Sequence, residues 1–166
     1  MKKLPADNLS KGIWDELLKM LEKYGIGKEC YMVAENHKVE PLMREWFPGV
    51  VFSYLGYGDE RTGARYHNDL NKIIKFNKQW DSVFSQALLE HVCRPSIAVE
   101  NMVNACKPGG TIVIHTVKPG FQMHKFPKDC VRFFPDFWLE LCHYLPIKVL
   151  DYKEHGYHVF VAYRRL

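Results

Sequence analysis

The chain has 166 residues, of which 47% are hydrophobic and 25% charged, values that indicate one globular domain and exclude a disulfide-stapled miniprotein or a disordered chain. The formal net charge of +4 comes from 23 basic and 19 acidic residues mixed along the sequence, which does not favour nucleic acid as a partner. No apolar run reaches the ~20 residues of a membrane span, and no apolar segment follows the N-terminal lysines, so we expect no secretory signal and a cytoplasmic location.

The first half of the chain predicts one clear helix and two strands. Apolar residues at helical spacing predict a helix through Tyr24, with Asn8 or Ser10 as its N-cap. The other elements predicted in this half are strands over 30–34 and 50–55, a short helix over 40–46 and a loop over 56–63. Residues 72–76 fit either a short strand or a helical turn.

The second half alternates strands and helices more regularly. The predicted elements are a strand over 82–85, a helix or tight turn over 87–91, a helix over 95–106, a strand over 111–117 and a helix over 135–144. The sequence Lys-Pro-Gly-Gly over 107–110 ends the predicted helix over 95–106. Residues 148–152 and 158–163 predict an antiparallel hairpin, with Gly156 in its turn.

Strands that alternate with helices predict an α/β fold. We expect a mostly parallel sheet with helices on both faces and a C-terminal antiparallel hairpin. Residues 1–166 form a single domain in this prediction, with an N-terminal helical segment over 1–27 and an α/β core over 28–166.

Acidic residues follow the predicted strands at the edge where open parallel sheets bind ligands. Glu35 follows the first strand, Asp59 and Glu60 follow the second, and Asp69 precedes residues 72–76. An ionised carboxylate can bind ribose hydroxyls or an exocyclic amine. A single such acid is more often a solvated loop residue, but acids at successive strand ends favour a nucleoside-like ligand.

Two motifs in the second half resemble a known family. Residues 81–95 read Asp-Ser-Val-Phe-Ser-Gln-Ala-Leu-Leu-Glu-His-Val-Cys-Arg-Pro, which resembles the fourth-strand motif of class I S-adenosylmethionine-dependent methyltransferases of the type 11-like group. Residues 98–110 are similar to the helix and Lys-Pro-Gly-Gly turn that follow it. Residues 124–133 are similar to members near sugar and polysaccharide biosynthesis. The resemblance covers 50–141 and implies a Rossmann-like fold with S-adenosylmethionine as cofactor.

The resemblance also implies cofactor-binding residues. In it, Asp59 or Glu60 holds the ribose, Asp69 lies near the adenine amine, and Leu70 packs on the adenine. The other implied residues are Ser85 and Gln86 beside the methionine moiety, and Glu35 and Asn36 in the loop after the first strand.

The loop after the first strand departs from the family pattern, because residues 33–40 contain no glycine. Glycine serves there because the backbone must turn with positive φ and approach the cofactor closely. The side chains of Asn36 and His37 would occupy volume where the methionine tail lies. Three outcomes stay open: the loop swings away, cofactor affinity is weak, or the site is lost.

Methyl transfer to a hydroxyl requires alignment of donor and acceptor and removal of the hydroxyl proton. His124 is our candidate base, because histidine changes its charge near neutral pH. Asp129 could orient His124 or take the proton itself. Arg132 could bind an anionic or hydroxyl-rich acceptor, or form an i,i+3 ion pair with Asp129 that only organises the loop. His115, within a strand, is expected to be a packing residue. Glu90 and His91 lie at the edge of the expected pocket, and His91 is expected to be a hydrogen-bonded packing residue.

These residues favour O-methylation of a sugar, a nucleotide-sugar or another small hydroxyl acceptor. The alternative is a catalytically inactive methyltransferase-like module for binding or assembly, motivated by the glycine-free loop. A nucleotide-binding oxidoreductase is disfavoured, since no G-x-G-x-x-G follows a strand. The expected partner is a small-molecule or glycan acceptor, and the oligomeric state is left open.

We expect no metal site. His115, His124 and Asp129 could supply ligands, but their spacing is not diagnostic. The five cysteines are an odd number without a C-x-x-C pair, which predicts reduced thiols rather than disulfides or structural zinc.

Overall fold

Six strands and four helices alternate along the part of the chain that the structure, a computed structural model, describes: residues 11–33, 39–55, 69–124 and 128–166. The helices are α1 (Lys11–Tyr24), α2 (Glu40–Trp46), α3 (Pro95–Ala105) and α4 (Pro135–Tyr144). The strands are β1 (Glu29–Val33), β2 (Val51–Leu55), β3 (Trp80–Gln86), β4 (Cys106–Val117), β5 (Ile147–His155) and β6 (His158–Arg165). The predicted caps Asn8 and Ser10 lie outside the described residues.

The strands form one sheet in the order β2-β1-β3-β4-β6-β5. The first four are parallel, whereas β6 runs antiparallel to both β4 and β5. The β5–β6 hairpin turns at residues 156–157, where Gly156 takes a positive φ of 57° that glycine adopts without a Cβ clash. The predicted mostly parallel sheet with a C-terminal hairpin is confirmed. β5 lies at one edge of the sheet, and its pairing with β6 shifts register between Val149 and Asp151.

Two layers of helices cover the two faces of the sheet. Successive residues of a strand point to opposite faces, so Val83 packs in the cluster with α3 and α4, and Phe84 in the cluster with α1 and α2. Helices on both faces are therefore confirmed. In the part of the chain that is described, no helix combines the length and apolarity that a membrane crossing needs.

The predicted Lys-Pro-Gly-Gly turn lies inside an extended element. α3 ends at Ala105 rather than at residue 106, because Cys106 pairs with Trp80 in the sheet. The register then shifts, so that Ser82 pairs with Thr111. A Cβ on Gly110 would lie 2.5 Å from Sγ of Cys106, which explains why the chain needs glycine at this close approach.

Residues 72–76 form neither the strand nor the helical turn that the sequence left open. The buried side chain of Asn101 on α3 holds the preceding chain instead. Its Oδ1 accepts the backbone N–H of Ile74 at 2.8 Å, and its Nδ2 donates to the carbonyl oxygens of Leu70 at 3.4 Å and Lys72 at 2.9 Å. This segment is therefore held by hydrogen bonds to the side chain of Asn101 rather than by pairing with a neighbouring strand.

Candidate active site

The order of the strands reverses at β1, which has β2 on one side and β3 on the other. Val33, the last residue of β1, pairs with Ser85 near the end of β3. Open α/β sheets bind ligands outside the carboxyl ends of the strands, where the strand order reverses. The ends of β1 and β3 are therefore the position where this fold favours a ligand.

Two buried polar atoms at the end of β3 have no hydrogen-bond partner among the described residues: Oγ of Ser85 and Oε1 of Gln86. An unpaired buried polar atom costs about 1–3 kcal/mol, and a ligand that supplies a partner removes that cost. The next residue, Ala87, has a positive φ of 44°, and such backbone strain concentrates at functional sites. The end of β3 is therefore a candidate ligand contact.

Asp69 and Leu70 lie near the start of α3 but differ in exposure. The exposed Asp69 accepts the backbone and side-chain N–H groups of Asn71, both at 3.0 Å, and the backbone bond is the chief reason that its pKa is lowered. Leu70 is 3% exposed within the core. Asn71 in turn accepts the backbone N–H of Arg94 at 2.9 Å, which fixes this segment to the residue before α3.

The remaining predicted cofactor contacts, Glu35, Asn36 and Asp59, lie outside the described residues, as do His37 and Glu60. Their roles, and the outcome of the glycine-free loop, stay predictions.

Asp129 organises the loop that follows β4. Arg132 donates to both of its carboxylate oxygens, and the backbone N–H of His124 donates to Oδ2 at 2.9 Å. The bonds from Arg132, more than those from His124, lower the pKa of Asp129 to about 2. So acidic a carboxyl is a weak base, which does not favour Asp129 as the group that takes the proton. The predicted i,i+3 ion pair is present.

The side chain of Arg132 is used mainly within the loop. Besides Asp129, it donates to the carbonyl oxygens of Val131 at 2.9 Å and Gln122 at 3.5 Å. These bonds leave few donors for an acceptor molecule and indicate that Arg132 holds the loop and Asp129 in place.

His124 lies between Asp129 and a second histidine. Its Nδ1 is 3.8 Å from Oδ2 of Asp129, and its Nε2 is 3.1 Å from Nε2 of His91. His91 belongs to a 3-10 turn, Leu89–His91, that follows β3, and its Nδ1 contacts the carbonyl oxygen of Lys128. The turn after β3 and the loop after β4 therefore meet at two imidazole rings.

Backbone and thiol contacts join the same two segments. The carbonyl oxygen of Glu90 accepts the N–H groups of Cys130 at 2.7 Å and Val131 at 3.2 Å. Sγ of Cys130 lies 3.2 Å from Sγ of Cys93, and both are free thiols. The loop is thus held along several residues.

A cavity of about 300 Å³ opens beside this loop, at the lower limit of the ~300–1,000 Å³ found for small-molecule sites. Its lining combines an aromatic ring, apolar side chains and the charged pair, and consists of Phe121, Met123, Asp129, Cys130, Val131 and Arg132. The cavity offers room for a small acceptor next to the ion pair.

His115 is fully buried in β4, as expected of a packing residue. Its Nε2 lies 3.0 Å from Nδ1 of His158, and burial lowers its pKa to about 3. His115, His124 and Asp129 do not form a cluster of three converging ligand atoms. Among the described residues, the ligand atoms that do converge belong to Glu90, His91 and His124.

For two of these residues, Glu90 and His91, the sequence predicted no functional role. Glu90 was placed only at the pocket edge, although its buried carboxylate accepts a hydrogen bond from Oγ1 of Thr116 at 2.7 Å. His91 was expected to be a packing residue. The signal available in the sequence was their position in the short turn that follows β3.

The sequence of residues 50–114 matches a family model described as a methyltransferase domain. The matched range includes β2, β3, the 3-10 turn, α3 and most of β4. No curated protein matches the chain.

Solved structures share the fold at low sequence identity. A complex of DhpI with SAH is 19% identical with a TM-score of 0.66, over 93% of this chain and 84% of that chain. The PH0226 protein from Pyrococcus horikoshii OT3 is 10% identical with a TM-score of 0.71, over 97% and 93%. The [4+2]-cyclase SpnF is 11% identical with a TM-score of 0.66, over 91% and 81%. The Rossmann-like methyltransferase fold that the resemblance implied is confirmed.

Proposed function

We propose that the protein is an S-adenosylmethionine-dependent methyltransferase that methylates a hydroxyl of a sugar, a nucleotide-sugar or another small acceptor. The observation that carries the proposal is the match of residues 50–114 to the methyltransferase-domain model. The fold alone would not carry it, since a cyclase has the same fold. The match also supports an active enzyme over an inactive binding module.

The cofactor would lie across the ends of β1 and β3. Ser85 and Gln86 would form hydrogen bonds with its methionine moiety through Oγ and Oε1. These two atoms have no hydrogen-bond partner among the described residues. Asp69 would contact the adenine amine, and only the small exposed part of Leu70 would reach the ring. The other proposed contacts are Glu35, Asn36 and Asp59, which lie outside the described residues.

His124 would act as the base in the transfer. S-adenosylmethionine would supply an electrophilic methyl group for the acceptor oxygen and leave as S-adenosylhomocysteine, and Nε2 of His124 would take the hydroxyl proton. Asp129 would orient the ring from the Nδ1 side, and Arg132 would hold Asp129. The cavity beside Phe121 would receive the acceptor, whose sugar-like face can stack on that ring.

Calorimetric titration with S-adenosylhomocysteine tests the cofactor claim. We expect a binding isotherm for the unmodified protein and roughly 3–10-fold weaker binding for Ser85→Ala, because about 0.5–1.5 kcal/mol of hydrogen bonding is lost. Ser96→Ala, an exposed serine on α3, is the matched control and should bind as tightly as the unmodified protein. No heat and no thermal shift with either S-adenosylhomocysteine or S-adenosylmethionine would refute the proposed function.

A further inference from the structure

Three potential metal ligands converge where the turn after β3 meets the loop after β4. One ligand atom from each of Glu90, His91 and His124 lies within 4.8 Å of the others. The two imidazole rings are nearly perpendicular, at 87°, with their Nε2 atoms 3.1 Å apart. Both nitrogens therefore point at a common volume rather than at opposite walls.

The polar groups beside the two Nδ1 atoms indicate which ring nitrogens carry hydrogen. Nδ1 of His91 contacts the carbonyl oxygen of Lys128, which can only accept, so Nδ1 bears the hydrogen and Nε2 of the neutral ring has a lone pair. Nδ1 of His124 has no hydrogen-bond partner among the described residues, and the carboxylate of Asp129 lies 3.8 Å from it, so that a hydrogen on Nδ1 is electrostatically favoured. That favours the same tautomer, so two Nε2 lone pairs oppose each other. Such lone pairs are stabilised by a cation between them.

Glu90 adds a negative charge to the same volume. It is 1% exposed, and the described side chains give it one hydrogen-bond donor, Oγ1 of Thr116 at Oε2. Arg132 interacts with its charge at longer range. A buried carboxylate is stable only when its charge is compensated, and a cation bound by the two imidazoles would supply that charge.

We propose that Glu90, His91 and His124 form a binding site for a divalent transition-metal ion of the Zn²⁺ class. Imidazole nitrogens and a carboxylate are ligands that such ions accept. Two bonds of about 2.0–2.1 Å at a tetrahedral angle place their nitrogens about 3.3 Å apart, and the Nε2 separation of 3.1 Å is close to that. The pairing of Nδ1 of His91 with the carbonyl oxygen of Lys128 is the outer-shell arrangement that orients metal-binding histidines. Three protein ligands leave a fourth position open.

Metal binding uses the same lone pair of His124 that the proposed function assigns to the base. An ion at the site and proton transfer to Nε2 therefore exclude each other in one molecule. The site needs no S-adenosylmethionine, so its test does not depend on the proposed function.

Titration of the metal-free protein with Co²⁺ tests the site, because four-coordinate Co²⁺ has visible absorption bands. We expect one equivalent to bind and one equivalent of Zn²⁺ to displace it. The variants His91→Asn and His124→Asn keep an amide at the Nδ1 position but remove the Nε2 ligand, and Glu90→Gln keeps an acceptor for Thr116. Each should weaken binding at least about 10-fold, whereas His143→Asn on the exposed side of α4 should not.

Far-UV circular dichroism verifies that each variant is folded, and nitrogen NMR of the unmodified protein gives a readout that needs no variant. One equivalent of Zn²⁺ should shift the Nε2 resonances of His91 and His124 and leave their Nδ1 atoms protonated. Unchanged Nε2 resonances, or Co²⁺ bands that persist in all three variants, would overturn the proposal.

Discussion

Asp129 shows how one side chain can fix a whole loop. Its side chain is 5% exposed, and it receives donors from Arg132 and from the backbone of His124. Because the negative charge strengthens the hydrogen bonds from both donors, removal of that charge should loosen the loop.

The variant Asp129→Asn retains the size of the side chain but not its charge. We expect the free energy of unfolding to fall by about 1.5–3 kcal/mol, the range for hydrogen bonds to charged groups. Urea unfolding measures the change. Glu140→Gln, an exposed site on α4, is the control and should change stability by less than about 0.5 kcal/mol. Equal stability of the two variants would show that the ion pair does not organise the loop.

His115 should make stability depend on pH. Burial lowers its pKa to about 3 in the folded protein, whereas an unfolded histidine has a pKa of about 6.5. Between these values the unfolded chain binds a proton that the folded chain does not, so stability falls as pH falls. Above about pH 6.5 the protonation of His115 costs the folded protein no stability. Below that pH, the free energy of unfolding falls by up to about 1.4 kcal/mol per pH unit.

The variant His115→Gln cannot titrate and isolates this effect. Its free energy of unfolding should fall less steeply than that of the unmodified protein between about pH 6.5 and pH 4.5. Ser96→Ala, at an exposed position of α3, carries no titratable group and should retain the original slope. Parallel curves for all three proteins would contradict the assignment.

Single residues were predictable from sequence when their role followed from position in a strand. His115 was expected to be a packing residue because it lies inside an apolar β-branched run. The pairing of His124 with His91 was not predictable, since 33 residues separate them and only the loop path brings the rings together.

Asn101 acts between elements, because it lies on α3 and binds the chain that precedes β3. Asn101→Ala would leave the N–H of Ile74 and two carbonyl oxygens without their partner. We expect a loss of about 2–4 kcal/mol in the free energy of unfolding and faster amide exchange at Ile74. Asn104→Ala, three residues along the same helix, should cost less than about 1 kcal/mol. Unchanged exchange at Ile74 would exclude this anchoring role.

The sequence predicted best those elements whose apolar residues recur at regular spacing along the whole element. The helix over 135–144 has the predicted bounds, and the hairpin lies where the two β-branched runs and Gly156 indicated. The segment over 72–76 could not be assigned because its order comes from Asn101, a single polar residue in the buried face of a helix.

At the scale of the molecule, two clusters of buried side chains share one sheet. Leu17 of α1 belongs to one cluster and Met102 of α3 to the other. Because the same strands separate and support both clusters, we expect a single unfolding transition, as predicted for a single domain over 1–166.

Leu17→Ala and Met102→Ala should each lower the free energy of unfolding by about 2–5 kcal/mol. Far-UV dichroism and tryptophan fluorescence should still report coincident transitions in both variants. Leu139→Ala, at a half-exposed position of α4, should have a much smaller effect. A separate early transition in Leu17→Ala would show that the N-terminal helix unfolds as an independent unit.

The edge strand β5 has a consequence for the protein in concentrated solution. An edge strand presents unpaired backbone groups to which another chain can add, which is a route to aggregation. β5 carries Lys148 and Lys153, and its ladder is interrupted between Val149 and Asp151. Charged side chains and an irregular ladder both hinder the addition of a further strand. The hairpin that completes the sheet thus also limits its growth into fibrils.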